Sequence, residues 1–93
     1  MVNFRYRLPM YSVSYSKQAQ KTLHRLPRNT AQLIQTKLMA LAADPHGMGN
    51  VKKLTDHPGY RLRVGDWRVV YILRDDAQAI QVIHIDVRGS IYQ

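Results

Sequence analysis

From Met10 the chain alternates: Tyr11, Val13 and Tyr15 are aromatic or apolar, and Ser12, Ser14 and Ser16 between them are polar. That period of two predicts a half-buried strand. Ser16 then stands where a helix N-cap belongs, and Ala19, Leu23 and Leu26 follow at helical spacing, so a helix is expected up to Pro27, which stops or redirects it. Asn29 or Thr30 can cap a second helix, whose stripe of Ala31, Ile34, Leu38 and Leu41 ends at Asp44-Pro45. So short a connection makes the pair an αα-hairpin. Residues 1–9 show neither period, and Pro9 would interrupt either, so they read as an N-terminal extension to a domain over residues 10–93.

Residues 45–59 are rich in Gly, Pro and polar side chains and read as a loop that carries Lys52 and Lys53. Strand patterns follow. Tyr60, Leu62 and Val64 alternate with Arg61 and Arg63, Gly65-Asp66 supplies a tight turn, residues 67–73 are β-branched and aromatic, and Arg74-Asp75-Asp76 breaks them. Residues 80–87 are the most apolar segment and are expected to form the central strand. The fold class is α+β: an N-terminal strand, a helical hairpin, then a three-stranded antiparallel run, forming one sheet covered on one face by the helices.

Composition adds a partner to this picture. The chain has 93 residues, one domain's worth, and Lys and Arg number 14 against 6 acidic residues, a net charge of +8. With 45% apolar residues it can still build a core, so it is a folded basic domain and not a basic tail. Such a domain suits a polyanion: nucleic acid, an acidic protein or, less often, an anionic membrane surface. Cysteine is absent, which excludes disulfides and thiol chemistry and fits a cytoplasmic protein. No apolar run approaches the roughly 20 residues of a membrane helix, and Arg5 and Arg7 are followed by no signal-like apolar stretch.

The period of two also sorts the basic residues. If Tyr60, Leu62 and Val64 face the helices, Arg61 and Arg63 face away, and one choice of register sets Arg68 beside them. On the last strand Ile83, Ile85 and Val87 suit the core, which leaves His84, Asp86 and Arg88 on the open face, with Tyr92 just beyond. Bidentate guanidinium donors with an aromatic at the rim are what a phosphate-backbone site needs. Alternating arginines also occur as a plainly solvated face that blocks edge pairing, and Lys52 and Lys53 as solubilising loop residues. His84 and Asp86 suit either a catalytic pair or a structural hydrogen bond. His24, His46 and His57 have no second histidine and carboxylate at ligand spacing, so no metal or other cofactor is expected.

The stretches Lys52-Lys53-Leu54, Gly59-Tyr60-Arg61-Leu62-Arg63-Val64-Gly65-Asp66-Trp67-Arg68-Val69-Val70-Tyr71 and Val87-Arg88-Gly89-Ser90-Ile91-Tyr92, with the opening at Tyr11 and Leu26-Pro27, resemble the RelE/ParE superfamily of type II toxin–antitoxin toxins. The resemblance spans Met10 to the C-terminus. It implies the small RelE-type α+β fold, a cognate antitoxin in a hetero-oligomer, and a ribosome-dependent endoribonuclease, metal-independent, that cleaves mRNA and inhibits translation. Position by position, Arg61 and Arg63 stand where RelE toxins have lysines. Arg68 and Arg88 stand at arginines of the following strand and of the last strand's end, and Tyr92 at a tail tyrosine.

The implied reaction is attack of a 2′-hydroxyl on its adjacent phosphate, with the 5′-hydroxyl leaving. Arginine stays protonated, so Arg61 and Arg63 are charge stabilisers where a lysine could serve as base. His84 is the nearby side chain of a type suited to moving protons near neutral pH. Lys52 and Lys53 join Arg61 and Arg63 as RNA contacts. The rival readings are a ParE-like inhibitor of DNA gyrase, and a basic RNA- or antitoxin-binding domain without catalysis.

Overall fold

The Ser16 hydroxyl caps helix α1 (Lys17–Arg25) as its position predicts, accepting from the Ala19 N–H at 3.1 Å with its own backbone extended. The computed structural model describes residues 10–87. Helix α1 closes with the Leu26 N–H on the Thr22 carbonyl, and helix α2 (Arg28–Ala43) starts at once. Its N-cap is Pro27, not Asn29 or Thr30. The Pro27 carbonyl accepts the first helical bond from Ala31, while the Asn29 side chain accepts from the Thr30 N–H at 2.9 Å inside the first turn. Proline has a φ suited to helix entry and no N–H to satisfy, so the helix can begin two residues earlier than a side-chain cap requires. Ile34, Leu38, Leu41 and Ala42 are its buried face.

The remaining elements are strands β1 (Ser12–Tyr15), β2 (Val51–Lys53), β3 (Tyr60–Val64), β4 (Trp67–Arg74) and β5 (Ala79–Val87). They form one five-stranded sheet in the order β1-β5-β4-β3-β2, with β1 parallel to β5 and every other pair antiparallel. The α+β class holds, with one strand more than the sequence pattern supplied. Strand β2 lies in the segment read as a loop: three residues, two of them lysines, carry no legible period, and only backbone pairing with β3 defines the strand. Lysines on such an edge also discourage pairing with another chain. The middle strand is β4 and not β5, which lies between β1 and β4.

A bulge in β5 corrects the expected core. Val70 pairs with His84 and Tyr71 with Val82, so Ile83 is an extra residue that resets the alternation. Ile80 and Val82 are therefore fully buried and Ile83 only half-buried; beyond the bulge Ile85 is buried as expected, while Val87, opposite Trp67 at the end of β5, is 41% exposed. The core joins these to Leu62, Val64, Val69 and Tyr71 of the sheet and to Ala19, Ile34, Leu38 and Leu41 of the helices. Gly65, at φ 59°, makes the two-residue turn between β3 and β4, which a side chain would strain.

Tyr71 has 0% exposure, stacks on Tyr60 with ring centroids 5.6 Å apart, and has a buried hydroxyl with no hydrogen-bond partner. Burial, with a smaller contribution from Tyr60, pushes its ionisation from 10.0 up to about 12. A phenol raised in the folded state contributes fully below pH 10.0, and the contribution is lost as pH rises through about 12, because the unfolded chain releases the proton first. Tyr71→Phe is expected to stabilise the protein by about 1 kcal/mol at neutral pH, by removing an unsatisfied buried hydroxyl, and to flatten the alkaline loss. Denaturant titrations at neutral and alkaline pH check both.

Candidate functional site

Residues directly opposite on paired strands share a face of the sheet. The register therefore builds two rows on the face away from the helices: Lys52, Arg61, Val70 and His84 in one, and Arg63, Arg68 and Asp86 in the next. Five of the sequence-predicted site residues, Lys52, Arg61, Arg63, Arg68 and His84, thus come together. Lys53 does not. It pairs with Tyr60 on the helix-side face, and its Nζ lies 5.1 Å from the centre of the Tyr60 ring. In a strand, neighbouring side chains point to opposite faces, so two lysines that act as a unit in a loop are separated here. Arg88 and Tyr92 lie outside the described residues.

Beside the edge of the sheet, Gly49, Asn50, Val51, Lys52, Arg61 and Arg63 line a groove of about 440 Å³. Asn50 extends the β2–β3 pairing and fixes the position of Arg63: its side-chain amide donates to the Arg63 carbonyl at 2.7 Å, and its own carbonyl accepts the Arg63 N–H at 3.1 Å. Neither Arg61 nor Arg63 makes an ion pair among the described residues. The Arg61 Nε is sealed from solvent and has no hydrogen-bond partner. A guanidinium partly stripped of water with its donors unspent is a site for an anion with several acceptor oxygens.

Arg68 is differently placed. Its Nε lies 3.4 Å from Asp86 Oδ1 and its Nη2 3.4 Å from Asp86 Oδ2, with both side chains more than four-fifths buried. His84 Nε2 lies 3.0 Å from the same Oδ2. The arginine face thus divides into two unengaged cations beside the groove and one whose charge is balanced by Asp86.

Ser16, beyond its role as a cap, and Gln18, which no sequence pattern singles out, hold this part of the sheet. Strand β1 ends at Tyr15, which would leave the outer edge of β5 bare beyond Val82. The first turn of α1 takes over: the Ser16 N–H donates to the Val82 carbonyl and the Ser16 hydroxyl to the Ile83 carbonyl, both at 2.8 Å. Gln18 then bonds Ile85 twice, donating from Nε2 to the carbonyl at 3.0 Å and accepting the N–H on Oε1 at 3.0 Å. A glutamine early in a helix carries no sequence signal for this. Gln18→Ala is expected to cost about 1–3 kcal/mol, because it leaves a part-buried N–H and C=O without partners; thermal denaturation measures it.

The other histidines stand apart from this face. His57 Nδ1 accepts the Gly59 N–H at 2.8 Å within a turn. His46 contacts Asp75 at 3.1 Å, where the Tyr11 hydroxyl donates at 2.8 Å and, as the largest cause, holds the carboxyl below its ordinary range.

A family model described as the ParE toxin of type II toxin–antitoxin systems matches residues 13–92. Toxin RelE of Mycobacterium tuberculosis is 30% identical to this chain over 84 residues, which are 89% of this chain and 87% of that protein. Among solved structures, the archaeal RelE–RelB complex from Pyrococcus horikoshii is similar with a TM-score of 0.75 at 28% identity, over 86% of this chain and 97% of that one. The intact E. coli RelBE toxin–antitoxin complex gives 0.70 at 25% identity, over 83% and 95%.

Proposed function

The chain belongs to the RelE/ParE superfamily of type II toxin–antitoxin toxins, and from that premise we propose that it is an endoribonuclease that cuts mRNA on the ribosome and so halts translation. The observation that carries this reading is the pair of unengaged arginines, Arg61 and Arg63, beside Lys52 in an open groove. Fixed cationic donors of this kind grip a phosphodiester and stabilise the extra negative charge that develops when a 2′-hydroxyl attacks it. Arg61 and Arg63 hold the scissile phosphate and Lys52 the neighbouring backbone. Arg68 and His84 complete the described part of the site. Arg88 and Tyr92 enter by the resemblance alone, as a further phosphate donor and as a ring that stacks on or orients a base.

The partner is a cognate antitoxin in a hetero-oligomer, as RelB is RelE's partner in the P. horikoshii and E. coli complexes. Residues 10–93 are the toxin unit, acting in the cytoplasm, where messages are translated. A second reading follows from the family model, whose description is the ParE toxin: inhibition of DNA gyrase. Primer extension on a ribosome-bound message, run beside a gyrase supercoiling assay with the same preparation, separates the two. New message ends with normal supercoiling are expected. Intact message with blocked supercoiling would replace the nuclease by the gyrase inhibitor, and neither effect with antitoxin binding retained would leave a non-catalytic binding domain.

A further inference from the structure

The proposed cleavage needs a group to take the proton of the 2′-hydroxyl, and the arginines of the face cannot do so because they stay protonated. Resting on that reading, we infer that Asp86 is a positioning residue that makes His84 the base, with the Nδ1 lone pair of His84 turned toward the RNA. Three contacts meet on one carboxylate. Asp86 Oδ2 accepts from Arg68 Nη2 at 3.4 Å and lies 3.0 Å from His84 Nε2, while Arg68 Nε faces Oδ1 at an ion-pair distance of 3.4 Å. A carboxylate only accepts, so the contact at 3.0 Å requires the proton of a neutral His84 to sit on Nε2. That leaves Nδ1 as the acceptor, and it has no partner among the described residues.

Placement fits the role. The His84 side chain is 45% exposed, whereas that of Asp86 is 19% exposed, so the orienting group is sheltered and the oriented ring is open. His84 shares its row with Arg61, with Val70 between them. At roughly 5 Å between strands, the two span about 10 Å, a separation that a nucleotide held by its phosphate at Arg61 can bridge. Among the elements packed on β5, Arg68 of β4 faces the pair, β1 contributes no charged side chain, and α1 lies on the other face. Nothing but Asp86 competes for the ring among the described residues.

In the step, Nδ1 takes the 2′-hydroxyl proton as the O2′–P bond forms. The P–O5′ bond breaks with its electron pair on O5′, which takes a proton from water. The products are a 2′,3′-cyclic phosphate and a 5′-hydroxyl, and the imidazolium returns its proton to solvent. Arg61 and Arg63 balance the charge on the phosphorus oxygens throughout.

Asp86→Asn and Asp86→Ala together test the assignment, because the first keeps an acceptor for the ring and the second removes it. Arg68 Nη2 and His84 Nε2 both meet Oδ2, so in Asp86→Asn the amide oxygen takes that place and still accepts the ring proton, whereas alanine offers no acceptor. The experiment uses the full chain with single-turnover cleavage of a ribosome-bound message, and long-range ¹⁵N–¹H spectra of the histidine rings. Expected are an Nε2–H ring at His84 in the wild type and in Asp86→Asn, cleavage by Asp86→Asn within about a few-fold of wild type, and a rate lower by on the order of a hundredfold in Asp86→Ala and in His84→Ala alike. The double variant should be no slower than either single one, as for residues that act as a unit. Cleavage by Asp86→Ala at the wild-type rate, or an Nδ1–H ring in the wild type, overturns the inference while the nuclease reading stands. A wild type that leaves the message intact overturns the nuclease reading and the role as base together, and the ring spectra still decide whether Asp86 sets the tautomer.

Discussion

Arg61→Ala is expected to lower the rate of message cleavage by roughly a hundredfold, the scale on which one preorganised donor to a transition-state oxyanion acts, and to leave thermal stability nearly unchanged. Both halves follow from where the side chain sits. Arg61 alternates out of the core between Tyr60 and Leu62 and forms no ion pair among the described residues, so its loss orphans no partner. Its Nε is already sealed from water with no acceptor, so the desolvation that weakens a freshly bound cation is partly met before RNA arrives. Arg61→Lys restores the charge but not the planar fork, and should recover only part of the rate. Arg63 is exposed, and water competes for it more effectively, so Arg63→Ala should cost less. Single-turnover cleavage with paired melting curves measures all three. A rate for Arg61→Ala within a few-fold of wild type would place the phosphate elsewhere on the sheet.

The arginine face was legible because its two causes are local: alternation fixes which side a residue takes, and a charged side chain does not enter a core unpaired. The N-cap at Ser16 was legible for the same reason. What escaped depends on pairing between distant segments. Strand β2 exists through its bonds to β3, and the bulge at Ile83 exists only because Val70 and Tyr71 pair with residues two apart in β5. A single extra residue moved the core from the Ile83 position to Ile80 and Val82, yet left His84 and Asp86 on the open face, because both follow the bulge. Gln18 shows the limit most clearly. Its side chain finishes the hydrogen bonding of a strand 67 residues away in sequence, which no pattern near residue 18 encodes.

Arg68→Ala, by contrast with Arg61→Ala, is expected to damage the fold and the chemistry at once. Removing the guanidinium leaves Asp86, with a side chain only 19% exposed, holding a carboxylate that His84 alone can balance. Breaking a fully buried pair costs several kcal/mol; with this much solvent access about 1–3 kcal/mol is expected. The same step turns a neutral Arg68–Asp86 unit into a negative charge beside the groove, which repels the phosphate that Arg61 and Arg63 attract, so cleavage should fall by a hundredfold or more. The two effects separate in the double variant. Arg68→Ala with Asp86→Ala removes the stranded charge and should regain most of the stability, since deleting both partners orphans neither. It should not regain the rate, because His84 is then unheld and the donor is still missing. Melting temperatures and single-turnover rates for the two single variants and the double one form the cycle. Recovery of the rate together with stability would reduce the Arg68–Asp86 pair to a structural strut and leave the phosphate chemistry to Arg61 and Arg63.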